Sequence, residues 1–449
     1  MPSVLKRSVI AALFSLLSIN STPAQDIQHS VTEKYEEGIG LYEKGFFEAA
    51  LRKFNAFSSS NPAHELRISS DHFAARAKTG IDSSNIESHY KDFILNYPGS
   101  DLSEKLLRDL GHRYIQVGDY EGAIAYYQQA VDSWLNEANA AKMRYWIAEA
   151  AAENGDYEAA RGYFMELAEL YPRSDWTPKA LYARGRLFLT EELYTEASDA
   201  FEILRDRYPN NEITRRVGTA LGESYYQQGK YEQAIEALQG ELTYLDEESL
   251  TKAIFLIAES QNYLGQYEEA SKSYLRYINI TKGTPEERIA HYGLGWVYNK
   301  QEIYHWAAES FGKAAVGDDE IARKALYYKA VNEKLSAQYG KSINSFREFG
   351  ERFKTGLWVE RAYYEWSISA FEASRYAEAI EVLLELVRSD TELEEPGKVY
   401  TMLGEAFYAN AEYTRAIQAF EEAEEVGGLD PALKRQARFQ KAWILYRNQ

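Results

Sequence analysis

The sequence predicts an all-α solenoid of about eleven helix pairs, with one extra helix at its end. Three observations predict it. A short aromatic-centred signature recurs at a nearly fixed period, amphipathic segments flank each recurrence, and the composition favours helix over sheet. The chain has 449 residues, too many for one ordinary core, and only 10 of them are Pro. Ala, Glu, Leu and Tyr dominate, and few β-branched runs interrupt them, as helices prefer.

In chain order, residues 1–24 read as a secretory signal. Lys6 and Arg7 form a basic start, Val9 to Ile19 is apolar, and Thr22-Pro23-Ala24 is a small-residue cleavage site. The apolar run is shorter than the roughly 20 residues that a bilayer requires. Residues 25–30 are expected to be a short linker, and residues 31–449 a repeat array. A periplasmic or secreted location follows from the signal. Removing Lys6 and Arg7 takes the formal charge from −19 to −21, which repels nucleic-acid backbones and anionic lipid surfaces. No other segment is apolar enough to span a membrane. There are no cysteines, which removes disulfides, thiolate nucleophiles, Cys-based zinc sites and a lipid-bearing Cys.

The signature appears as Gly118-Asp119-Tyr120-Glu121-Gly122-Ala123 and Gly155-Asp156-Tyr157-Glu158-Ala159-Ala160. It returns as Gly229-Lys230-Tyr231-Glu232-Gln233-Ala234 and Gly265-Gln266-Tyr267-Glu268-Glu269-Ala270. The aromatic alone marks Phe47, Tyr120, Tyr157, Tyr194, Tyr231, Tyr267, Tyr304, Tyr339, Tyr376 and Tyr413. After a first gap of 73, the steps are 37, 37, 37, 36, 37, 35, 37 and 37. That gap holds a degenerate unit with Ser83 in the aromatic slot and Ile86 in the Ala slot. Self-similarity at such a period means stacked helix pairs. In one unit Tyr400, Leu403, Gly404 and Phe407 share a helical face, and Ala416, Phe420 and Ala423 share the next. Gly404 and Ala416 let two backbones approach, and the aromatics fill the remaining space.

These slots resemble the tetratricopeptide repeat family. Leu110, Gly111, Tyr114, Ala123, Tyr127 and Ala130 match its pattern, as do Leu294, Gly295, Tyr298, Ala307, Phe311 and Ala314. The resemblance covers residues 31–449 and implies a right-handed α-α superhelix. The units run to 36 or 37 residues and several close on Tyr-Pro: Tyr97-Pro98, Tyr171-Pro172 and Tyr208-Pro209. Proline cannot continue a helix, so it ends each second helix. This longer unit is similar to those of bacterial envelope proteins, among them outer-membrane assembly lipoproteins and Tol-Pal-associated coordinators. Residues Pro431 to Gln449 read as another first helix, with Ala437, Ala442, Trp443, Ile444, Leu445 and Tyr446 placing apolar groups on most sides. The next turn aromatic would fall at position 450, so the sequence is expected to be a fragment of a longer protein.

No constellation calls for catalysis, a cofactor or a metal. Gly340-Lys341-Ser342 lacks the upstream glycine of a phosphate loop, since that position is Leu335. In register it is the turn after Tyr339, with Ser342 in the Ala slot. Gly293-Leu294-Gly295 is a helix-packing glycine in its unit. His64, His72 and His89 lack the i,i+4 spacing of metalloprotease ligands. Glu268-Glu269 and Glu421-Glu422 sit on expected solvent faces.

The resemblance implies that the first helix of each pair lines a concave surface. The second slot of that helix holds Lys105, Lys142, Lys179, Arg216, Lys252, Lys324, Arg361 and Lys398, and only Ile289 interrupts the series. Three residues on stand Tyr145, Tyr182, Phe255, Tyr292, Tyr327 and Tyr364, with Arg108, Thr219 and Thr401 in the remaining units. A basic row beside an aromatic row is expected to bind extended acidic protein segments, or a polysaccharide by ring stacking. Equally, neighbouring Glu residues could neutralise the basic row, and the aromatics could pack between units. The function expected is a non-enzymatic protein-interaction scaffold of the periplasm or cell envelope. The alternatives are a scaffold of exopolysaccharide export and the non-catalytic arm of a longer envelope enzyme.

Overall fold

The computed structural model describes residues 23–447, apart from 134–136, 244, 355–356, 390–392 and 427–430. The expected signal segment, residues 1–24, therefore lies almost wholly outside the described residues. The chain divides into two compact units, residues 1–214 and 215–449.

The first unit contains five helix pairs. They are α1 (Pro23–Glu43) with α2 (Phe47–Ser60), α3 (Arg67–Ile81) with α4 (Ile86–Asn96), α5 (Asp101–Gln116) with α6 (Tyr120–Asp132), α7 (Glu137–Glu153) with α8 (Tyr157–Leu170), and α9 (Thr177–Thr190) with α10 (Tyr194–Arg207). The second contains six pairs and one more helix. They are α11 (Val217–Gln227) with α12 (Tyr231–Gln239), α13 (Glu247–Tyr263) with α14 (Tyr267–Ile280), α15 (Pro285–Lys300) with α16 (Tyr304–Ala314), α17 (Glu320–Leu335) with α18 (Tyr339–Arg352), α19 (Leu357–Glu372) with α20 (Tyr376–Arg388), and α21 (Pro396–Ala409) with α22 (Tyr413–Glu425), followed by α23 (Pro431–Arg447). Eleven pairs and one helix are thus present among the described residues, and no strand is. We call the first helix of each pair A and the second B.

Each recurring aromatic is the first residue of a B helix, from Phe47 to Tyr413. Two residues earlier the backbone turns left-handed, with φ near +79° at Gly118 and +82° at Gly155. Glycine suits that turn because it lacks a Cβ. The turn persists where glycine is missing: Glu192, Glu302, Ala337, Ser374 and Ala411 all have φ between 55° and 64°. The degenerate second pair turns differently. The Asp82 side chain accepts the Ser84 N–H at 3.0 Å, over a short 3₁₀ turn at Ser83–Asn85.

The small slot of the A helix sits directly on a B-helix side chain. A Cβ added to Gly111 would lie 2.3 Å from Tyr127, and one on Gly404 would lie 2.7 Å from Phe420. Leu110, Leu403, Phe420 and Ala416 are buried around these contacts, so the apolar slots form the core between the helices. The Tyr-Pro closures share one geometry. α4, α8 and α10 stop one residue before Tyr97, Tyr171 and Tyr208, whose φ values are −131°, −128° and −132°, because a residue preceding proline avoids the helical region. A hydroxyl six residues later then takes the tyrosine carbonyl: Ser103 at 2.7 Å, Thr177 at 2.5 Å and Thr214 at 2.7 Å.

One expectation differs from the structure. Residues 25–30, expected as a linker, lie within α1. Pro23 takes the first helical position, where its missing N–H matters least, and no Gly or Pro follows before Gly38.

The ridge of the A helices

The expected basic residues lie within the first two turns of the A helices, except Arg216, which immediately precedes α11, and most carry partners. Lys142 Nζ lies 3.0 Å from Glu104 Oε1, and Arg108 meets the same oxygen at 3.3 Å. Glu104 is only 3% exposed, so this pair of cations neutralises a buried carboxylate. Lys252 meets Glu223 at 2.7 Å, and Lys324 meets Glu320 of its own helix at 3.5 Å. Lys179 Nζ sits 4.1 Å over the Trp176 ring, and Arg361 lies 5.7 Å over Trp358. Lys105 and Arg216 are exposed. The charge of the basic row is largely answered from within the chain.

The aromatic row lies half-buried, its rings against B-helix rings. Tyr145 packs on Phe164 at 5.4 Å and Tyr182 on Phe201 at 5.8 Å. Phe255 packs on Tyr277 at 5.2 Å, Tyr292 on Phe311 at 5.7 Å, and Tyr327 on Phe346 at 6.1 Å. Desolvation pushes the phenols of Tyr145, Tyr327 and Tyr364 upward, so they remain proton donors at neutral pH.

One stretch of the ridge encloses space. Tyr327, Arg361, Tyr364 and Lys398 line a cavity of about 330 Å³ together with Glu360, Glu365, Glu394, Glu395 and Val399. Arg361 reaches Glu394 at 3.3 Å, and Lys398 reaches Glu395 at 2.6 Å. Glu360 is buried and accepts the backbone N–H groups of Glu394 at 2.7 Å and Glu395 at 3.1 Å. It fixes the start of α21, and with it the two carboxylates facing the cations. Glu365 pairs with Lys334 of α17.

Sequence reasoning missed Glu104, Glu360, Trp176 and Trp358. A signal existed for each. Both glutamates immediately precede a ridge cation, and both tryptophans stand three residues before one, where helical side chains meet. The discounted motifs keep their structural roles. Ser342 is fully buried, and its hydroxyl donates to the Ala330 carbonyl at 2.8 Å. Glu268, Glu269, Glu421 and Glu422 are exposed.

The family models that match are those of the tetratricopeptide repeat, at residues 108–175, 364–434 and 401–449, and again at 219–250. The chain carries tetratricopeptide repeats. Similar solved structures include a tetratricopeptide repeat protein from Parabacteroides merdae, at 21% identity, covering 59% of this chain and 98% of that one, with a TM-score of 0.36. MamA from Desulfovibrio magneticus is similar at 22% identity over 40% of this chain and 97% of that one, TM-score 0.34. The C-terminal part of a repeat-containing protein from Cytophaga hutchinsonii is similar at 13% identity over 57% of this chain and 97% of that one, TM-score 0.44. No curated protein sequence matches. Tetratricopeptide arrays are interaction scaffolds. No helix among the described residues is long and apolar enough to cross a membrane.

Proposed function

We propose that this chain is an exported, non-catalytic scaffold of the bacterial envelope that holds extended acidic segments of partner proteins along its A-helix ridge. The cavity at Arg361 and Lys398 carries the reading. There the chain's own Glu394 and Glu395 place carboxylates on the two cations at 3.3 and 2.6 Å, and the phenols of Tyr327 and Tyr364 flank them. A glutamate-rich segment offers the same groups and can exchange with them. The polysaccharide alternative needs open ring faces, whereas Tyr145, Tyr182, Tyr292 and Tyr327 are half-buried in tilted or edge-on contacts with B-helix rings. Support for export comes from the basic start at Lys6 and Arg7 and the apolar run to Ile19.

The test is fluorescence anisotropy of a labelled glutamate-rich peptide titrated with the chain. Arg361→Gln with Lys398→Gln should weaken capture about tenfold or more. Unchanged capture, with helicity intact by circular dichroism, refutes the ridge. For export, mass spectrometry of protein recovered from the envelope fraction should find a new N-terminus at Gln25.

A further inference from the structure

In α17 two interior slots that are apolar in most repeats carry charged residues. Ten residues before the turn aromatic, the A helices carry Leu110, Ile147, Leu221, Ile257, Leu294 and Leu403, all buried. In α17 that slot holds Lys329. Six residues before the aromatic, Phe188, Tyr225 and Phe407 are buried, α13 carries buried Gln261 bonded by Ser273 at 2.7 Å, and α17 carries Glu333. Lys329 Nζ donates to Ser345 Oγ at 2.6 Å and lies 3.5 Å from Glu333 Oε1, while Ser345 Oγ donates to Glu333 Oε2 at 2.6 Å. Glu333 is 6% exposed. A buried charged pair holds a fold no better than well-packed apolar side chains of similar volume, so stability does not explain the exchange.

A cavity of about 390 Å³ opens beside this pair, between α16, α17 and the start of α18. Lys329 forms its floor, with Glu333, and Lys313 and Lys341 stand at its rim beside His305 and Gln338. At 3.6 residues per turn, Lys329 points about 200° around α17 from Tyr327, away from the ridge. Gly312 keeps the wall low, since a Cβ there would meet Lys329 Cδ at 3.3 Å. The two carboxylates are already engaged, Glu309 by Lys313 at 3.1 Å and Glu333 by Ser345. Lys341 makes no ion pair among the described residues. Three lysines against two glutamates thus line one cavity, a local excess of positive charge in a chain whose formal charge is −19.

We infer that this cavity binds a small polar molecule through an oxyanion, a phosphate or a carboxylate, held by Lys329 from the floor and by Lys313 and Lys341 from the rim. Charge-assisted hydrogen bonds from several ammonium groups make such a site selective for anions over neutral ligands.

Thermal unfolding of the full chain at constant ionic strength tests it, with inorganic phosphate or glucuronate set against chloride. One of the two oxyanions should raise the unfolding midpoint above the chloride value. A rise with phosphate alone identifies a phosphoryl ligand, and a rise with glucuronate a carboxylate. Lys341→Gln should weaken the apparent affinity about tenfold. The double variant Lys329→Leu with Glu333→Tyr gives α17 the apolar pattern of its neighbours, so it keeps its fold, and it should abolish the rise. Equal midpoints in both oxyanions and chloride, or equal rises in wild type and double variant, overturn the inference.

Discussion

The charged pair in α17 makes a sharp prediction about stability, separate from any ligand. Replacing Lys329 alone with Leu leaves the Glu333 carboxylate, 6% exposed, with Ser345 as its remaining partner. Breaking a buried pair in this way costs roughly 3–5 kcal/mol where both charges are sealed. Here the Lys329 side chain is 26% exposed, water reaches the ion, and a cost of about 2 kcal/mol is expected. Changing both residues together, Lys329→Leu with Glu333→Tyr after the pattern of α11, removes the stranded carboxylate and fills the slots with apolar groups. That double variant should be at least as stable as the wild type, and up to about 2 kcal/mol more stable. Ser345 loses its acceptor but can bond a carbonyl one turn back in α18. Repeat arrays need not unfold in one step, so hydrogen exchange across α17 and α18 is the assay, with urea unfolding beside it. A double variant less stable than Lys329→Leu alone would refute the reasoning, for the pair would then contribute packing that Leu and Tyr cannot replace.

Three further outcomes are expected. His72 is 4% exposed, and burial, helped by Arg76 and Lys105, lowers its pKa from 6.5 to about 4. The unfolded chain therefore binds the extra proton first, and about 3 kcal/mol of stability is lost as pH falls from 6.5 to 4; urea titrations at several pH values should show this slope, and His72→Leu should flatten it. Lys142→Met strips one of two cations from buried Glu104 and should cost about 1–2 kcal/mol, whereas Lys179→Met removes a contact with Trp176 and should cost about 0.5 kcal/mol; paired denaturation curves separate them. Ala411 holds φ of 64°, so Ala411→Gly should stabilise the last pair by about 1 kcal/mol, seen as slower exchange at the start of α22.

What the sequence made legible was set by local sterics. The aromatic after each left-handed turn recurs at a nearly fixed step, and it marked the starts of ten B helices, from Phe47 to Tyr413, even in the five repeats whose turn lacks glycine. The small slot opposite a large ring gave the packing of Gly111 on Tyr127 and Gly404 on Phe420. The ridge was legible as two rows but not as a set of contacts. Lys142 meets a glutamate 38 residues back, and Glu360 accepts backbone donors 34 and 35 residues ahead. Periodicity fixes which face a residue takes and leaves open which long side chain of a neighbouring unit will reach it. The aromatic row looks free for the same reason, because its covering rings, such as Phe164 and Phe346, come from the facing B helix.

The slot that holds Lys329 also separates two ways of placing a cation where leucine is the rule. In α9 it is Arg184, 5.0 Å from the Phe188 ring, with Arg161 of α8 at 4.9 Å from the same ring. Desolvation lowers the Arg184 pKa, and the neighbouring Arg161 adds to the effect. Arg161 pairs with Glu191 at the end of the helix. There the second slot remains Phe, and the guanidinium covers it, as a planar cation on an aromatic ring does. In α17 the second slot changes as well, a buried acid and a serine are recruited, and a cavity remains open. A repeat that merely tolerated a cation would need only the first arrangement. The second replaces two apolar slots together and leaves space beside them, which is what separates a site from a packing variant.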